Sequence, residues 1–171
     1  SPERLTQFCK ETHERLGVLC HAAKSADEVA AEADVLVTIT NSTSPVFKSE
    51  SLRPGTHINA AGSNFLIKRE LDETCIRRCR SIVVDSKDQA RMECGEFLGP
   101  LQKGRLTWDQ IRELSEVVTA RALPRTDPKD ITLFKSLGVA LEDVAVAAKV
   151  YQLARERKIG RMMEYGEGNG S

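Results

Sequence analysis

Two short apolar runs, each ending in small and polar residues, lie within residues 33–71 and limit what this chain can become. The first reads Ala-Asp-Val-Leu-Val-Thr-Ile-Thr and passes into Asn41-Ser42-Thr43-Ser44. The second follows the turn Pro54-Gly55 and reads Thr-His-Ile-Asn-Ala-Ala-Gly-Ser-Asn. The first is a β-branched run of the kind buried in a parallel sheet. Strand ends rich in small residues are where an open α/β sheet takes its ligand.

The surrounding pattern agrees. Residues 2–16 read as a helix that Gly17 can end. A short strand is expected over 18–23, then a helix capped by Ser25 through residue 31. Residues 35–40 form the next expected strand, followed by a loop over 41–44, a helical turn near 49–52 and a strand over 56–60. A helix is expected over 69–78 and a strand over 81–85. Helices follow over 88–98 and 109–121, then a loop over 122–130 and a short strand over 131–134. Residues 139–157 read as a long helix with Val144, Ala147, Ala148, Tyr151 and Ala154 on one packed stripe. The tail, 160–171, holds four glycines and is expected to be disordered. Strands alternating with helices indicate α/β architecture, a mostly parallel sheet flanked by helices. Right-handed crossovers gather the strand C-termini on one edge.

Composition narrows the function. With 25 basic and 25 acidic residues the formal net charge is zero, so nothing favours nucleic acid or an anionic membrane as partner. Aromatics are 5%, too few for base-stacking platforms. No apolar run approaches the roughly 20 residues of a membrane span. Five cysteines, Cys9, Cys20, Cys75, Cys79 and Cys94, at irregular spacing do not form a disulfide framework. Cys75 and Cys79 lie four apart, but no second pair completes a zinc site, so no metal is expected. With no secretory signal at the start, a reducing, cytoplasmic setting is expected. Ser1, Pro2 and Glu3 suit the first positions of a helix. A domain opening abruptly at a helix cap suggests that the native polypeptide extends upstream.

Several residues stand where chemistry would sit. Thr38, Thr40 and Asn41 end the first run, where a small hydroxyl lets a flat ligand approach, though Thr also suits strands and Asn starts turns. Asn59, Ala60, Ala61, Gly62, Ser63 and Asn64 place four small residues in a row after a strand, and a plain turn needs one glycine. His57 is an acid–base candidate by type, but its place inside a strand suits a packed, hydrogen-bonded side chain. Lys68 and Arg69 can neutralise an anion at the sheet edge or begin the next helix. Asp85, Asp88 and Glu93 can serve as acid–base groups or as caps. Ser136, Leu137 and Gly138 lead into the long helix, offering backbone N–H groups to a ligand or a simple cap. No G-x-G-x-x-G occurs; the glycine-rich tail follows the last helix and lacks the context of a phosphate loop.

Taken in order, the segments Ala33-Asp34-Val35-Leu36-Val37-Thr38, Pro54-Gly55-Thr56-His57-Ile58-Asn59-Ala60-Ala61-Gly62, Lys68-Arg69-Glu70-Leu71, Val83-Val84-Asp85-Ser86, Glu113-Leu114-Ser115-Glu116-Val117 and Ile131-Thr132-Leu133-Phe134-Lys135-Ser136-Leu137-Gly138 resemble the C-terminal half of the ornithine cyclodeaminase/μ-crystallin family. The likeness runs from Ser1 to about Gly160. It implies a Rossmann-type domain binding NAD or NADP over residues 1–138, N-terminally truncated. It also implies that helix 139–159 packs toward a missing N-terminal, dimerising domain, and that the full-length protein is a homodimer. The family cyclises ornithine or lysine, reduces cyclic ketimines or oxidises alanine by hydride transfer at the carbon bearing nitrogen. By this resemblance Thr40, Asn59, Ala60, Ala61, Gly62, Lys68 and Ser136 would contact the cofactor, with Leu137 and Gly138 beside the substrate, an amino acid or cyclic imine.

The resemblance has two departures. Cyclodeaminases carry an Asp acid–base group where this chain has Asn64, and an amide cannot exchange a proton at neutral pH. The likeness therefore favours imine reduction or amino-acid dehydrogenation, with Asn64 orienting substrate or water. The family's glycine-rich loop and substrate-clamping residues also lie before the region matching Ser1. The isolated polypeptide is accordingly expected to bind cofactor weakly and be inactive. The alternatives are a non-catalytic, crystallin-like nucleotide-binding protein and an α/β nucleotide-binding domain without redox chemistry.

Overall fold

Val35–Thr38 (β1), His57–Ala60 (β2), Cys79–Val84 (β3), Ile111–Glu113 (β4) and Ile131–Lys135 (β5) pair in parallel throughout, in the spatial order β1-β2-β5-β3-β4. The computed structural model describes residues 2–123, 125–161 and 163. The sheet belongs to the first of two compact units, residues 1–137; the second comprises residues 138–171. Helices Pro2–Leu16 (α1), Ala26–Glu32 (α2), Glu73–Arg78 (α3), Lys87–Glu93 (α4), Gly95–Gln102 (α5) and Leu114–Val118 (α6) complete the first unit. The α/β fold expected from the alternating pattern is thus present.

The core lies on the central strands. Ile58, Val84, Ile111 and Leu133 are buried, as are Leu71, Ile76 and Phe97 from the covering segments. Each such side chain contributes about 1.5–3 kcal/mol relative to leaving it exposed. Phe97 meets Trp108 edge to face, with ring centroids 6.4 Å apart. β1 is covered on one face only: Leu36 and Thr38 are buried, whereas Val35, Val37 and Ile39 are exposed. Among the described residues, no helix is long and apolar enough to cross a membrane.

Local chemistry explains where helices begin. Gly17 adopts a positive φ of 67° just after α1 and donates to the His13 carbonyl at 2.9 Å, as its C-terminal position predicts. The Ser25 hydroxyl accepts from the Glu28 N–H at 3.1 Å and caps α2. The Ser1 cap expected for α1 lies outside the described residues.

Five expectations need correction. Residues 18–23 form no strand: none of the five strands pairs with them, and an unpaired segment is not held in a sheet. The helix expected over 69–78 starts at Glu73, because Asp72 caps it through the Cys75 N–H at 2.6 Å while Glu70 and Leu71 turn inward. The helix expected over 88–98 is two helices that meet at an extended Cys94. The break seats Gly95 against the Phe65–Lys68 loop, so closely that a Cβ there would lie 2.3 Å from the Lys68 carbonyl oxygen. The helix expected over 109–121 is a turn of 3₁₀ helix at Trp108–Gln110, then β4, then α6. Fully buried Ile111 pairs with Ile82 there, and tertiary pairing overrides local helical preference. Ser136 does not cap the long helix: that position is Val139, with no side-chain cap bond.

In the second unit, helix Ala140–Arg157 (α7) ends at Lys158, whose left-handed backbone (φ 55°) lets its N–H reach the Ala154 and Arg155 carbonyls. No residue of α7 is buried, and Val144 and Tyr151 of the expected packed stripe are exposed. A stripe is buried only where an opposing apolar surface meets it. The expected tail disorder falls almost wholly outside the described residues.

Candidate functional site

The parallel register aligns the strand ends. Thr38 of β1 stands opposite Ala60 of β2, Ala60 opposite Lys135 of β5, and Lys135 opposite Val84 of β3. The segments that follow these strands therefore emerge together: 39–41, 61–64, 136–137 and 85–86. The ladder continues a step past the strands, with Ala61 N–H donating to the Thr38 carbonyl at 2.8 Å and Ser136 N–H to the Ala60 carbonyl at 3.0 Å. The edge thus brings together Thr40, Ala60, Ala61, Gly62, Ser136 and Leu137. Asn59 sits one residue inside β2, and Gly138, with φ 80°, opens the second unit.

Glu70 ties this edge together. Its residue is fully buried, and its carboxylate accepts from the Thr38 hydroxyl at 2.9 Å, the Thr40 N–H at 2.5 Å and the Gly62 N–H at 2.9 Å. Burial pushes this carboxyl up, but the hydrogen bonds from Thr40, Thr38 and Gly62 outweigh it and leave the group below the usual carboxylate range. The Thr40 hydroxyl shares in this set and also accepts from the Ser42 N–H at 3.2 Å. Gly62 fits only as glycine: a Cβ would stand 2.3 Å from the Thr40 nitrogen and 2.4 Å from a Glu70 oxygen. Its lack of a side chain therefore has an internal cause in packing against β1, beside the ligand approach read from the sequence.

A second buried ionic group lies behind the first. Lys135 ends β5 with its side chain fully buried, 3.7 Å from Glu96 Oε1, and its Nζ donates to the Ser63 carbonyl. Glu96 Oε1 also accepts from the Glu70 N–H at 3.1 Å. The Ser63 hydroxyl is buried without a hydrogen-bond partner among the described residues. Just past β3, Asp85 accepts from the Ser136 hydroxyl at 3.1 Å, the Leu137 N–H at 2.7 Å and the Ser86 N–H at 2.9 Å. The Ser136 hydroxyl and Leu137 N–H, read from sequence as open to a ligand, are both held by this carboxylate.

The segment after Gly62 is exposed. Asn64 faces solvent, and Phe65, Leu66 and Ile67 are exposed apolar residues. Lys68 is half-buried, with Nζ 5.1 Å from the centre of the Phe65 ring. Asn59 hydrogen-bonds to His57, whose Nδ1 lies 2.7 Å from the Thr132 hydroxyl. Burial first, with Arg125 nearby, holds His57 below the ordinary histidine range despite the Asn59 bond. His57 sits at the opposite end of β2 from the site, as a packed side chain. The Cys75 thiol is pushed far up, first by its hydrogen bond with Cys79 and then by burial. Burial does the same to Cys94, so both remain protonated packing residues rather than nucleophiles.

Ala61 and Gly62, which are small and not buried, and the exposed amide of Asn64 suit the flat ring end of a dinucleotide. The charged pyrophosphate would need a G-x-G-x-x-G turn leading into a helix, and no such motif occurs in this sequence. The residues present therefore fit one part of a nicotinamide cofactor, the ring end.

Known proteins share the sequence and the fold. The Delta(1)-pyrroline-2-carboxylate reductase of Bacillus cereus is 35% identical over 164 residues, 95% of this chain and 50% of that protein. The Thermococcus litoralis enzyme of the same name, solved with NADH and L-proline, superposes with a TM-score of 0.89 at 34% identity, covering 95% of this chain and 50% of that one. An archaeal alanine dehydrogenase dimer with bound NAD gives a TM-score of 0.83 at 32% identity, over 96% of this chain and 50% of that one. The chain thus spans about half the length of the relatives it matches. The sequence profile of the ornithine cyclodeaminase/mu-crystallin family matches residues 1–158, and the chain belongs to that family.

Proposed function

We propose that this chain is the nicotinamide-side half of an NAD- or NADP-dependent oxidoreductase that acts on the C–N bond of a cyclic imine or amino acid. The observation that carries the reading is the convergence of Thr40, Ala60, Ala61, Gly62, Ser136 and Leu137 on one strand-end edge, held by Glu70 and Asp85. A bound nicotinamide would supply or accept the hydride. Ala61 and Gly62, small and accessible, let a flat ring lie against the main chain, and Thr40 borders it. Glu70 fixes Thr40 and Gly62 in advance, so no reorganisation is needed when the ligand arrives. Lys68 offers a positive charge at the exposed rim. Asn64 donates and accepts hydrogen bonds without exchanging a proton. It therefore orients substrate or water, which favours imine reduction or amino-acid oxidation over cyclodeamination. α7, with its exposed apolar residues, would pack toward the remainder of the full-length protein and its dimer partner.

The test uses the longest native polypeptide that carries this sequence. Reduced nicotinamide should be consumed with Delta(1)-pyrroline-2-carboxylate, and the isolated chain should turn over nothing. Asn64→Asp should change the balance between ketimine and ornithine turnover. Saturable NADH binding without turnover of any imine or amino acid would refute the enzymatic reading in favour of a crystallin-like binding role. Unchanged ratios in Asn64→Asp would remove the role given to Asn64.

A further inference from the structure

The opposite edge of the sheet holds a feature that the proposed reaction does not use. A cavity of about 710 Å³ opens among the N-terminal ends of β3, β4 and β5. Arg77, Arg78, Arg80, Arg105, Arg112 and Lys129 line it, contributed by α3, by β3, by β4 with the segment before it, and by the loop before β5. Among the described residues Asp130 is the single carboxylate that lines it. It accepts from the Asp127 N–H at 2.9 Å and the Thr126 hydroxyl at 3.0 Å, which turns it toward its own loop. The whole chain has no net charge, so this excess is local to the cavity.

The cations differ in how far they are already engaged. Arg78 donates to the Ser49 and Leu52 carbonyls, and Arg77 to the Thr74 hydroxyl at 3.2 Å. Arg105 reaches Glu73 at 3.4 Å, a carboxylate it shares with Lys103, and Arg112 lies 3.9 Å from Glu116. The side chains of Arg80 and Lys129 make no hydrogen bond or ion pair of their own among the described residues, although Arg80 lies close enough to Asp130 to favour its ionised form. Ile76, Ile82, Leu106 and Ile131 form a buried apolar floor. A concave wall of one sign over a low-dielectric floor concentrates its field on a counter-ion. Guanidinium groups present paired donors that match phosphate oxygens.

We propose that this cavity is a binding site for a small polyphosphate anion. Cations from separate elements around one cavity call for an anion with several charged groups, rather than a lone carboxylate. The volume lies within the roughly 300–1,000 Å³ of small-molecule sites. Among the described residues no aromatic side chain lines it, so a nucleobase would find no stacking surface there, and the phosphates themselves carry the recognition.

Titration calorimetry of the 171-residue chain with metal-free inorganic triphosphate tests the site. Saturable binding is expected in about 50 mM salt, weakening at about 200 mM because the contacts are ionic. Arg80 and Arg112 are both exposed, so the double variant Arg80→Gln/Arg112→Gln should fold and bind at least about tenfold more weakly. Lys149→Gln on α7 removes a surface charge that is not among the lining residues and should leave affinity within about twofold. Adenosine triphosphate should bind about as tightly as inorganic triphosphate, and clearly tighter binding of the nucleotide would overturn the phosphate-only recognition. Absence of saturation, an unaffected double variant, or an equal loss in Lys149→Gln would overturn the site.

Discussion

Lys135 Nζ and Glu96 Oε1 stand 3.7 Å apart, and neither side chain reaches solvent. One ends the central strand of the sheet and the other lies in the first turn of α5, so the pair joins the sheet to its covering layer. Removing one partner leaves an uncompensated buried charge, whereas replacing both with apolar groups removes the desolvation cost as well. Lys135→Met should lower stability by about 3–5 kcal/mol, and Lys135→Met/Glu96→Met should recover most of that loss. Urea denaturation followed by circular dichroism measures both, and an additive double variant would show that the two charges do not interact.

Glu70 gives the fold an acid limit. Its carboxyl lies below the ordinary range in the folded chain, so the folded state favours the ionised form. The stability this contributes is complete above the unfolded carboxyl value of about 4.3 and is lost as pH falls through the lower folded value. Glu70→Leu should remove that acid-dependent component. It should also cost about 3 kcal/mol or more at neutral pH, because the Thr38 hydroxyl and the Thr40 and Gly62 N–H groups lose their acceptor. Denaturation curves from pH 3 to 7 for parent and variant would display the difference.

His57 acts with the same sign at a higher pH. Its folded value is depressed, so the folded chain favours the neutral ring. Stability is complete above the unfolded histidine value of about 6.5 and declines as pH falls toward the folded one. The His57 ring resonance, assigned by its loss in His57→Gln, should titrate below the unfolded histidine value of about 6.5, and the variant should also lose the slope in stability near pH 6. A His57 ring titrating at the ordinary value would contradict its packing against Thr132 and Arg125.

Gly62→Ala tests the contact between the first two strand ends. The added methyl would lie 2.3 Å from the Thr40 nitrogen and 2.4 Å from its carbonyl oxygen, and both belong to backbone that cannot swing aside. Overpacking of this kind costs about 1–3 kcal/mol. Separating β1 from β2 at this point should also weaken any NADH binding measured by fluorescence. An alanine variant with parental stability would show that Thr40 moves freely.

The sheet was legible where apolar runs were long enough to announce themselves. Residues 35–38, 57–60 and 131–135 carry β-branched or alternating apolar side chains, and each is a strand. β4 was not, because Ile111-Arg112-Glu113 holds one apolar residue, and only its pairing with β3 makes it a strand. At the site, the small residues after β2 and the position of Thr40 could be read directly. The groups that hold them could not. Glu70, Glu96 and Lys135 look like surface charges in sequence, and only the fold brings positions 70, 96 and 135 into one buried network. No local signal marked Glu70, which stands between Arg69 and Leu71.

The place of β5 between β2 and β3 has a consequence for how the chain is made. A strand near the end of the sequence fills the middle of the sheet, so its two neighbours emerge from the ribosome long before their shared partner. At about 5–20 residues per second, roughly 4–15 s separate the appearance of β2 from that of β5. Throughout that interval the inner edge of β2 is open, joined by that of β3 once it is made, and a nascent chain in this state is a natural client for chaperones that shield unpaired strands.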